Sequence, residues 1–182
     1  SGVSYAYTLG YQKITLLGVR LGALQAIKIA AEISNLKRII FWQPLINGQS
    51  ALVQFLRIKI AASMNRDEKP ETIQSLEAQI ESGNHINVSG YDVSPELFKG
   101  IQATKFDDYI NSVSVPVGWF TVLSSADRKT PRGDMMMIDK WCQNGTKVIH
   151  QELVGIPFWQ THERALVPEL VEATIQHVIE TD

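Results

Sequence analysis

The segment Gly18-Val19-Arg20-Leu21-Gly22 contains the first residues whose spacing could support chemistry. Glycines two positions before and after a central residue permit the sharp strand-to-helix turn of a nucleophile elbow, G-x-S-x-G. Arg20 stands where that pattern has serine. A guanidinium has five donors, no lone pair and a pKa far above neutral pH, so it cannot attack an acyl carbon. A cation at a helix N-terminus also opposes the helix dipole, so Arg20 should have a carboxylate or an anionic ligand nearby. Two interpretations follow: a structural ion pair in an inactive elbow, or an arginine that binds an anion.

An acid and a histidine follow the elbow in the order that an acyl-transfer triad requires. Asp127 lies in the loop Ser124-Ser125-Ala126-Asp127-Arg128, and His162 follows the last predicted strand. In such triads the acid follows the nucleophile along the chain and precedes the histidine. Asp127 could equally be a surface aspartate beside Arg128, or the counter-ion of Arg20. His162 comes a few residues after the expected triad position, and an isolated loop histidine is more often a surface residue.

Aromatic residues border the same predicted site. Trp42 ends the second strand, and Phe158 and Trp159 lie in the loop after the last strand. These rings could line a ligand pocket, or Phe158 and Trp159 could pack against the last helix. The single cysteine, Cys142, excludes an intrachain disulfide and a multi-cysteine zinc site, and we expect an inert buried thiol. The histidines have no metal-ligand spacing, so the sequence predicts neither a metal nor a cofactor.

Alternating strands and helices are predicted to position these residues. Short apolar runs bounded by breaking residues predict buried strands at 14–18, 38–42, 117–123 and 146–153. Helices at 23–34, 131–144 and 167–179 complete the βα alternation. Helices at 50–64, from Pro70 onward and at 94–104 predict a helical insertion. The expected fold class is α/β, a mostly parallel sheet with flanking helices, in which core segments 1–47 and 113–182 enclose an insertion at 48–112.

Composition and charge exclude several classes of function. The chain has 182 residues, 45% hydrophobic and 20% charged, as in a globular protein of one domain or one domain with a small insert. A net charge of −2 disfavours binding to nucleic acid through its phosphates. No apolar run is long enough to span a membrane, and the start does not resemble a signal peptide, so we expect a cytoplasmic protein. The first strand has no earlier βα unit to cover its edge, which predicts a missing N-terminal segment or a homo-oligomer.

In their order, these elements resemble the C-terminal two-thirds of an α/β-hydrolase. They are an elbow after a strand, Trp-Gln-Pro after the next strand, a helical cap, an acid loop, and a final strand and helix. More narrowly, nearly the whole chain resembles the exosortase-A-associated hydrolases (type 2) of bacterial exopolysaccharide loci. The motifs that carry this resemblance are GVRLGA at 18–23, WQPLING at 42–48, FLR at 55–57, GYDVSP at 90–95 and GIPFWQT at 155–161.

The resemblance implies Arg20 at the nucleophile position, Asp127 at the acid position and the Leu21 N–H as one oxyanion donor. The chain departs from the usual pattern: no serine stands in the elbow, no histidine stands at the usual triad position, and a complete fold would need about 80–100 more upstream residues. The resemblance implies action on an ester, a thioester or a saccharide-linked acyl group. The alternative is an inactive binding or scaffold module of exopolysaccharide assembly that recognises an anionic group through Arg20.

Overall fold

The computed structural model describes residues 2–63, 71–161 and 165–181. The elements, in chain order, are α1 (Gly2–Thr8), β1 (Ile14–Val19), α2 (Gly22–Ala30), β2 (Leu36–Trp42), α3 (Gly48–Ser63), α4 (Ile73–Glu81), β3 (Ile86–Val88), β4 (Tyr91–Val93), α5 (Pro95–Gln102), two short 3-10 turns (Phe106–Asp108 and Ile110–Ser112), β5 (Val117–Leu123), α6 (Arg132–Gln143), β6 (Val148–Val154) and α7 (Pro168–Glu180). They form two compact units, Ser1–Ile46 with Phe106–Asp182, and Asn47–Lys105.

The first unit is built on a four-stranded sheet. The strand order is β1-β2-β5-β6, and every neighbouring pair is parallel. All four predicted strands are present, so the expected parallel α/β architecture is confirmed. The register places Gly18 beside Phe41, Phe41 beside Trp119, and Trp119 beside His150. Of the described strands, β1 pairs with β2 alone and forms one edge of the sheet.

Helices cover both faces of this sheet. On one face, α2 and α6 enclose a core in which the rings of Phe41, Trp119 and Trp141 contact one another at 5.8–6.0 Å between centroids. On the other face, Leu170 of α7 packs against Phe120 and neighbouring residues of the strands. The helices pack this way because the strands alternate apolar side chains between the two faces, and each set must be buried.

The second unit has its own core. Leu52 and Leu56 of α3 and Leu76 of α4 pack with the β3–β4 hairpin and with Phe98 of α5. Ser94 begins α5 as predicted, since its hydroxyl accepts a hydrogen bond from the Leu97 N–H at 3.1 Å. The predicted helix start at Pro70 lies outside the described residues.

Some details differ from the sequence-based expectations. Residues 106–112, expected in the insertion, cluster with the first unit because Phe106 and Ile110 are buried in its core. The helix α1 had no sequence signal. Cys142, expected to be buried, is exposed. Within the described part of the chain, no helix is long and apolar enough to cross a membrane.

Candidate functional site

The residues of the candidate site follow the carboxyl ends of the four parallel strands. Arg20 follows β1, Gln43 follows β2, Asp127 lies in the loop after β5, and the Phe158–Trp159 pair lies in the loop after β6. Because the strands are parallel, these four connections all start from one edge of the sheet. Crevices at this edge are the usual ligand sites of open α/β sheets.

Arg20 occupies the turn of a formed elbow. Its φ is +50°, in the left-handed region that non-glycine residues rarely adopt. Its N–H donates to the carbonyl of Trp42 at 3.1 Å, and its own carbonyl accepts from the N–H groups of Ala23 and Leu45 at 3.1 and 3.2 Å. The strain at residue 20 is therefore held in place by backbone bonds to both β2 and α2.

The two glycines of the elbow have different roles. A Cβ on Gly18 would lie 2.6 Å from the Cα of Ala23 and 3.1 Å from the Cβ of Ala26. Gly18 thus permits α2 to pack directly on β1. A Cβ on Gly22 would meet nothing within 4 Å. The sequence pattern treats both glycines as elbow residues, but only the first is required by close packing.

The guanidinium of Arg20 is held between a carbonyl and an indole ring. Nη1 donates to the carbonyl of Gln43 at 3.2 Å, and the guanidinium carbon lies 4.8 Å from the centroid of the Trp159 ring. That distance is within the range of a cation–π interaction. Burial lowers the pKa of Arg20, and the charge of Asp134 opposes this effect by raising it. Arginine side chains are not deprotonated in proteins, so the group stays cationic at neutral pH.

Asp134 is a carboxylate of the described residues whose charge acts on Arg20. It lies in the first turn of α6 and is 8% exposed. Burial raises its pKa to about 6, and the charge of Arg20 acts in the opposite direction. No hydrogen bond to the Asp134 carboxylate contributes to this pKa. Asp127, suggested by the sequence as a possible counter-ion of Arg20, does not have this role among the described residues.

Gln43, which follows β2, connects that strand with β5 and with the elbow. It also has a positive φ, +43°. Its N–H donates to the carbonyl of Phe120 at 2.8 Å, and its side-chain Oε1 accepts from the N–H of Val122 at 2.7 Å. Its carbonyl accepts the guanidinium of Arg20. One residue after β2 therefore connects the end of β5 with the side chain of the elbow.

The three aromatic residues predicted at the site lie together. The rings of Trp42 and Phe158 meet edge to face at 6.4 Å, and those of Phe158 and Trp159 at 5.1 Å. The Trp42 indole N–H donates to the hydroxyl of Thr174 on α7 at 2.9 Å. All three rings are partly buried against the core beneath α7. The cluster thus packs on α7, and Trp159 also contacts the Arg20 guanidinium.

The remaining predicted site residues are less constrained. Asp127 is exposed, and hydrogen bonds from the Ser125 hydroxyl and from its own backbone lower its pKa, so it is ionised at neutral pH. Leu21 precedes the first residue of α2, and no side chain caps that helix. His162 lies outside the described residues, so its role as a triad base stays a prediction.

A polar network anchors the loop that carries Asp127. The N–H and hydroxyl of Thr130 both donate to Glu152 Oε1 on β6 at 2.8 Å, and Thr130 Oγ1 lies 3.0 Å from Nε2 of His150. Pro131 occupies the N-cap position of α6, and Thr130 beside it bonds to the neighbouring strand. The loop and the first turn of α6 are therefore attached to the edge strand.

The sequence interpretation missed Asp134 and Gln43. Asp134 precedes Met137, Ile138 and Trp141 by three, four and seven residues, which is the spacing of the buried face of α6. An acid at the head of an apolar stripe is a signal that could have identified it. Gln43 has a weaker signal, a polar residue between a buried strand and a proline. Among residues 2–63, 71–161 and 165–181, no cluster of histidine, cysteine or acidic side chains could hold a metal ion.

Comparisons with known proteins identify the fold. No protein-family model and no curated protein matches the chain. Among solved structures, Est1E from Butyrivibrio proteoclasticus matches 99% of this chain with a TM-score of 0.60 and 19% identity. A thermostable carboxyl esterase from Bacillus coagulans, solved with glycerol, matches 98% with a TM-score of 0.60 and 14% identity. An acylaminoacyl peptidase matches 99% with a TM-score of 0.53 and 11% identity.

These neighbours have the α/β-hydrolase fold, and at such low identity the likeness establishes the fold alone. The chain therefore has an α/β-hydrolase fold, as the resemblance implied. It spans 66% of the length of Est1E and 68% of the Bacillus coagulans esterase.

Proposed function

We propose that this α/β-hydrolase-fold chain binds an anionic acyl or saccharide ligand, and that Arg20 at the nucleophile position recognises the ligand's carboxylate or equivalent anion. The observation that carries the proposal is the placement of Arg20: a strained elbow residue whose guanidinium is held by the Gln43 carbonyl and the Trp159 ring. A guanidinium binds carboxylates and phosphates through paired donors, which a serine at this position could not do.

The surroundings of Arg20 favour a ligand that has an apolar body beside its anion. Phe158 and Trp42 extend the aromatic surface from Trp159. The indole Nε1 of Trp159 is buried and has no hydrogen-bond partner among the described residues. Aromatic side chains next to a few polar groups are typical of small-molecule sites. An aromatic carboxylate is therefore the first ligand class to test.

Ligand titration followed by tryptophan fluorescence and calorimetry tests the proposal. Ferulate and benzoate are suitable probes, since Est1E has been solved with ferulic acid bound. We expect saturable binding that Arg20→Met reduces at least tenfold, because a charge-assisted hydrogen bond contributes about 1.5–3 kcal/mol. Arg132→Met is the matched control: Arg132 is an exposed arginine in the first turn of α6, and its loss should leave the affinity unchanged. Equal affinity in wild type and Arg20→Met would refute the proposal, provided that circular dichroism gives both proteins the same fold.

Hydrolysis of an ester or thioester is the second candidate. It is favoured by an ionised acid, Asp127, in the loop after β5 of a fold whose solved neighbours include esterases. With Arg20 at the elbow, a serine nucleophile is not available there. A fluorophosphonate probe separates the two candidates: covalent labelling of a serine would favour hydrolysis, whereas binding without labelling favours recognition alone.

The link to exopolysaccharide biosynthesis forms part of the proposal and rests on the sequence resemblance. It predicts a saccharide-linked acid as the natural ligand, and a cytoplasmic location. The exposed Cys142 thiol is compatible with a reducing compartment. A homo-oligomer or an additional N-terminal segment against the edge of β1 is likewise proposed. There, Leu17 is 49% exposed. Size-exclusion chromatography with light scattering tests the oligomer.

A further inference from the structure

The strand β6 forms the edge of the sheet opposite to β1, and its sequence does little to prevent pairing with another strand. Of the described strands, β6 pairs with β5 alone, in a continuous register without a bulge. Its seven residues, Val148–Val154, include no lysine, proline or glycine. Natural edge strands are commonly shortened, charged, bulged or covered, because an exposed edge is a template for a further strand. The β6 edge is therefore an interaction surface to consider.

Alternate residues of β6 direct their backbone groups away from the sheet. The Val117 N–H donates to the carbonyl of Lys147, and the Gly155 N–H donates to the carbonyl of Leu123, both at 2.9 Å. Successive residues of a strand direct their N–H and C=O to opposite sides, so the odd-numbered residues of β6 bond to β5. The even-numbered residues from 148 to 154 consequently direct their donors and acceptors outward. This is the pattern that an added strand requires.

The side chains of β6 match those of a second copy that runs in the opposite direction. We place Gln151 of each copy on a twofold axis, so that the two glutamines lie opposite each other. The other opposed pairs are then Val148 with Val154, Ile149 with Leu153, and His150 with Glu152. Apolar side chains thus meet apolar ones, and an imidazole meets a carboxylate. Directly opposed pairs of these kinds stabilise antiparallel sheets.

This pairing also preserves the two faces of the sheet. Val148 packs in the core beneath α2 and α6, and Leu153 packs in the core beneath α7. Opposed residues stand equally far from Gln151 along the strand, so both members of each pair lie on the same face. The outward backbone groups of residue 148 then meet those of residue 154, and those of residue 150 meet those of residue 152. Each such pair exchanges two hydrogen bonds, which gives about eight across the axis.

The neighbouring registers that preserve the faces match less well. An axis at Glu152 would place two carboxylates directly opposite each other, and like charges in that position destabilise a sheet. An axis at His150 would place Val148 opposite Glu152 and Ile149 opposite Gln151. In addition, Thr130 already holds both His150 and Glu152 in position, since its hydroxyl lies 3.0 Å from Nε2 of His150 and 2.8 Å from Oε1 of Glu152. The register centred on Gln151 is therefore favoured.

We propose that two copies of this chain pair through β6 in an antiparallel, twofold arrangement centred on Gln151, which joins their two sheets into one. The interface is self-complementary, as a twofold dimer requires. A net charge of −2 leaves little overall repulsion between the copies. The proposal concerns the edge opposite to β1, and it does not depend on ligand binding at Arg20.

Sedimentation velocity and light scattering over a wide range of protein concentration test the proposal. We expect a reversible equilibrium between monomer and dimer. Gln151→Lys places two ammonium groups opposite each other at the axis, and Gln151→Glu places two carboxylates there. Each variant alone should raise the dissociation constant of the dimer at least about fivefold. An equimolar mixture of the two variants should restore the dimer, because lysine then lies opposite glutamate.

Thr15→Lys is the matched control, because Thr15 is an exposed residue of β1 and the substitution adds the same charge at the other edge of the sheet. It should leave the dissociation constant unchanged. A chain that stays monomeric at every concentration would overturn the proposal. So would a dimer that Gln151→Lys does not weaken, one that the mixture does not restore, or one that Thr15→Lys alone weakens.

Hydrogen exchange of the wild-type chain decides the question even if a variant does not fold. The backbone amides of residues 148, 150, 152 and 154 should exchange more slowly as the protein concentration rises, because they become hydrogen-bonded in the dimer. The amides of β1 should show no such dependence. A dimer in which the exchange of these four amides does not change with concentration would contradict pairing through β6.

Discussion

Gly18→Ala should destabilise the first unit, because the added Cβ would lie 2.6 Å from the Cα of Ala23, 3.0 Å from its N and 3.1 Å from the Cβ of Ala26. Carbon atoms without a bond between them approach to about 3.5–4.0 Å, so α2 must move away from β1 by up to about 1 Å. Overpacking of this kind lowers the free energy of unfolding by about 1–3 kcal/mol. Alanine makes the unfolded chain less flexible than glycine does, which raises the free energy of unfolding by about 0.4–1 kcal/mol. We expect a net loss of about 1–2 kcal/mol in the free energy of unfolding.

Gly22→Ala is the matched control for this change. Its Cβ would meet nothing within 4 Å, and its φ is not in the left-handed region. Alanine at the first residue of α2 should raise the free energy of unfolding by about 0.5 kcal/mol, since alanine loses less chain entropy on folding than glycine. The two substitutions are chemically identical and stand four residues apart, so their difference isolates the contact between β1 and α2.

Urea unfolding followed by tryptophan fluorescence measures both variants. All four tryptophans (Trp42, Trp119, Trp141 and Trp159) belong to the first unit, so the signal reports on that unit. Equal stabilities of the two variants, or a Gly18→Ala protein as stable as wild type, would show that α2 does not pack against β1 at the elbow as described.

Three further predictions concern buried and partly buried polar groups. Asp134→Asn should raise the free energy of unfolding at pH 7 by up to about 3 kcal/mol. The pKa of Asp134 is raised from 3.8 to about 6 in the folded protein, so the wild type loses stability as the pH rises from about 4 to about 6. Urea unfolding from pH 4 to 7 measures this loss. His177 is 2% exposed and burial lowers its pKa, so the wild type should lose stability as pH falls below about 6.5, and thermal unfolding of His177→Leu should lack that loss. Gln43→Ala should lower the free energy of unfolding in urea by about 1–3 kcal/mol, because the Val122 N–H loses its acceptor. Gln43→Asn, whose side chain is one carbon shorter, should not restore the hydrogen bond.

The strands and most helices could be predicted from the sequence, because their signals are local. Each core strand is a short apolar run, and the buried face of α2 repeats at helical spacing through Ala23, Ile27 and Ala30. The elbow could also be predicted, since Gly18 and Arg20 lie within one strand-to-helix turn. The helix α1 could not be predicted, because none of its seven residues is buried and they therefore show no hydrophobic pattern.

The chemistry around the elbow depended on contacts between distant parts of the chain. The sequence by itself determined that an arginine replaces the nucleophile, that the core alternates strand and helix, and that the charge is near zero. The tertiary structure decided which carboxylate opposes that arginine, which carbonyl binds it and which ring it stacks on: Asp134, Gln43 and Trp159. These partners are separated from Arg20 by 23 to 139 residues, and only the parallel order of the strands brings their loops to one edge. The hydrophobic periodicity of a helix or strand indicates which of its faces is buried. It does not indicate which side chains of other elements contact that face.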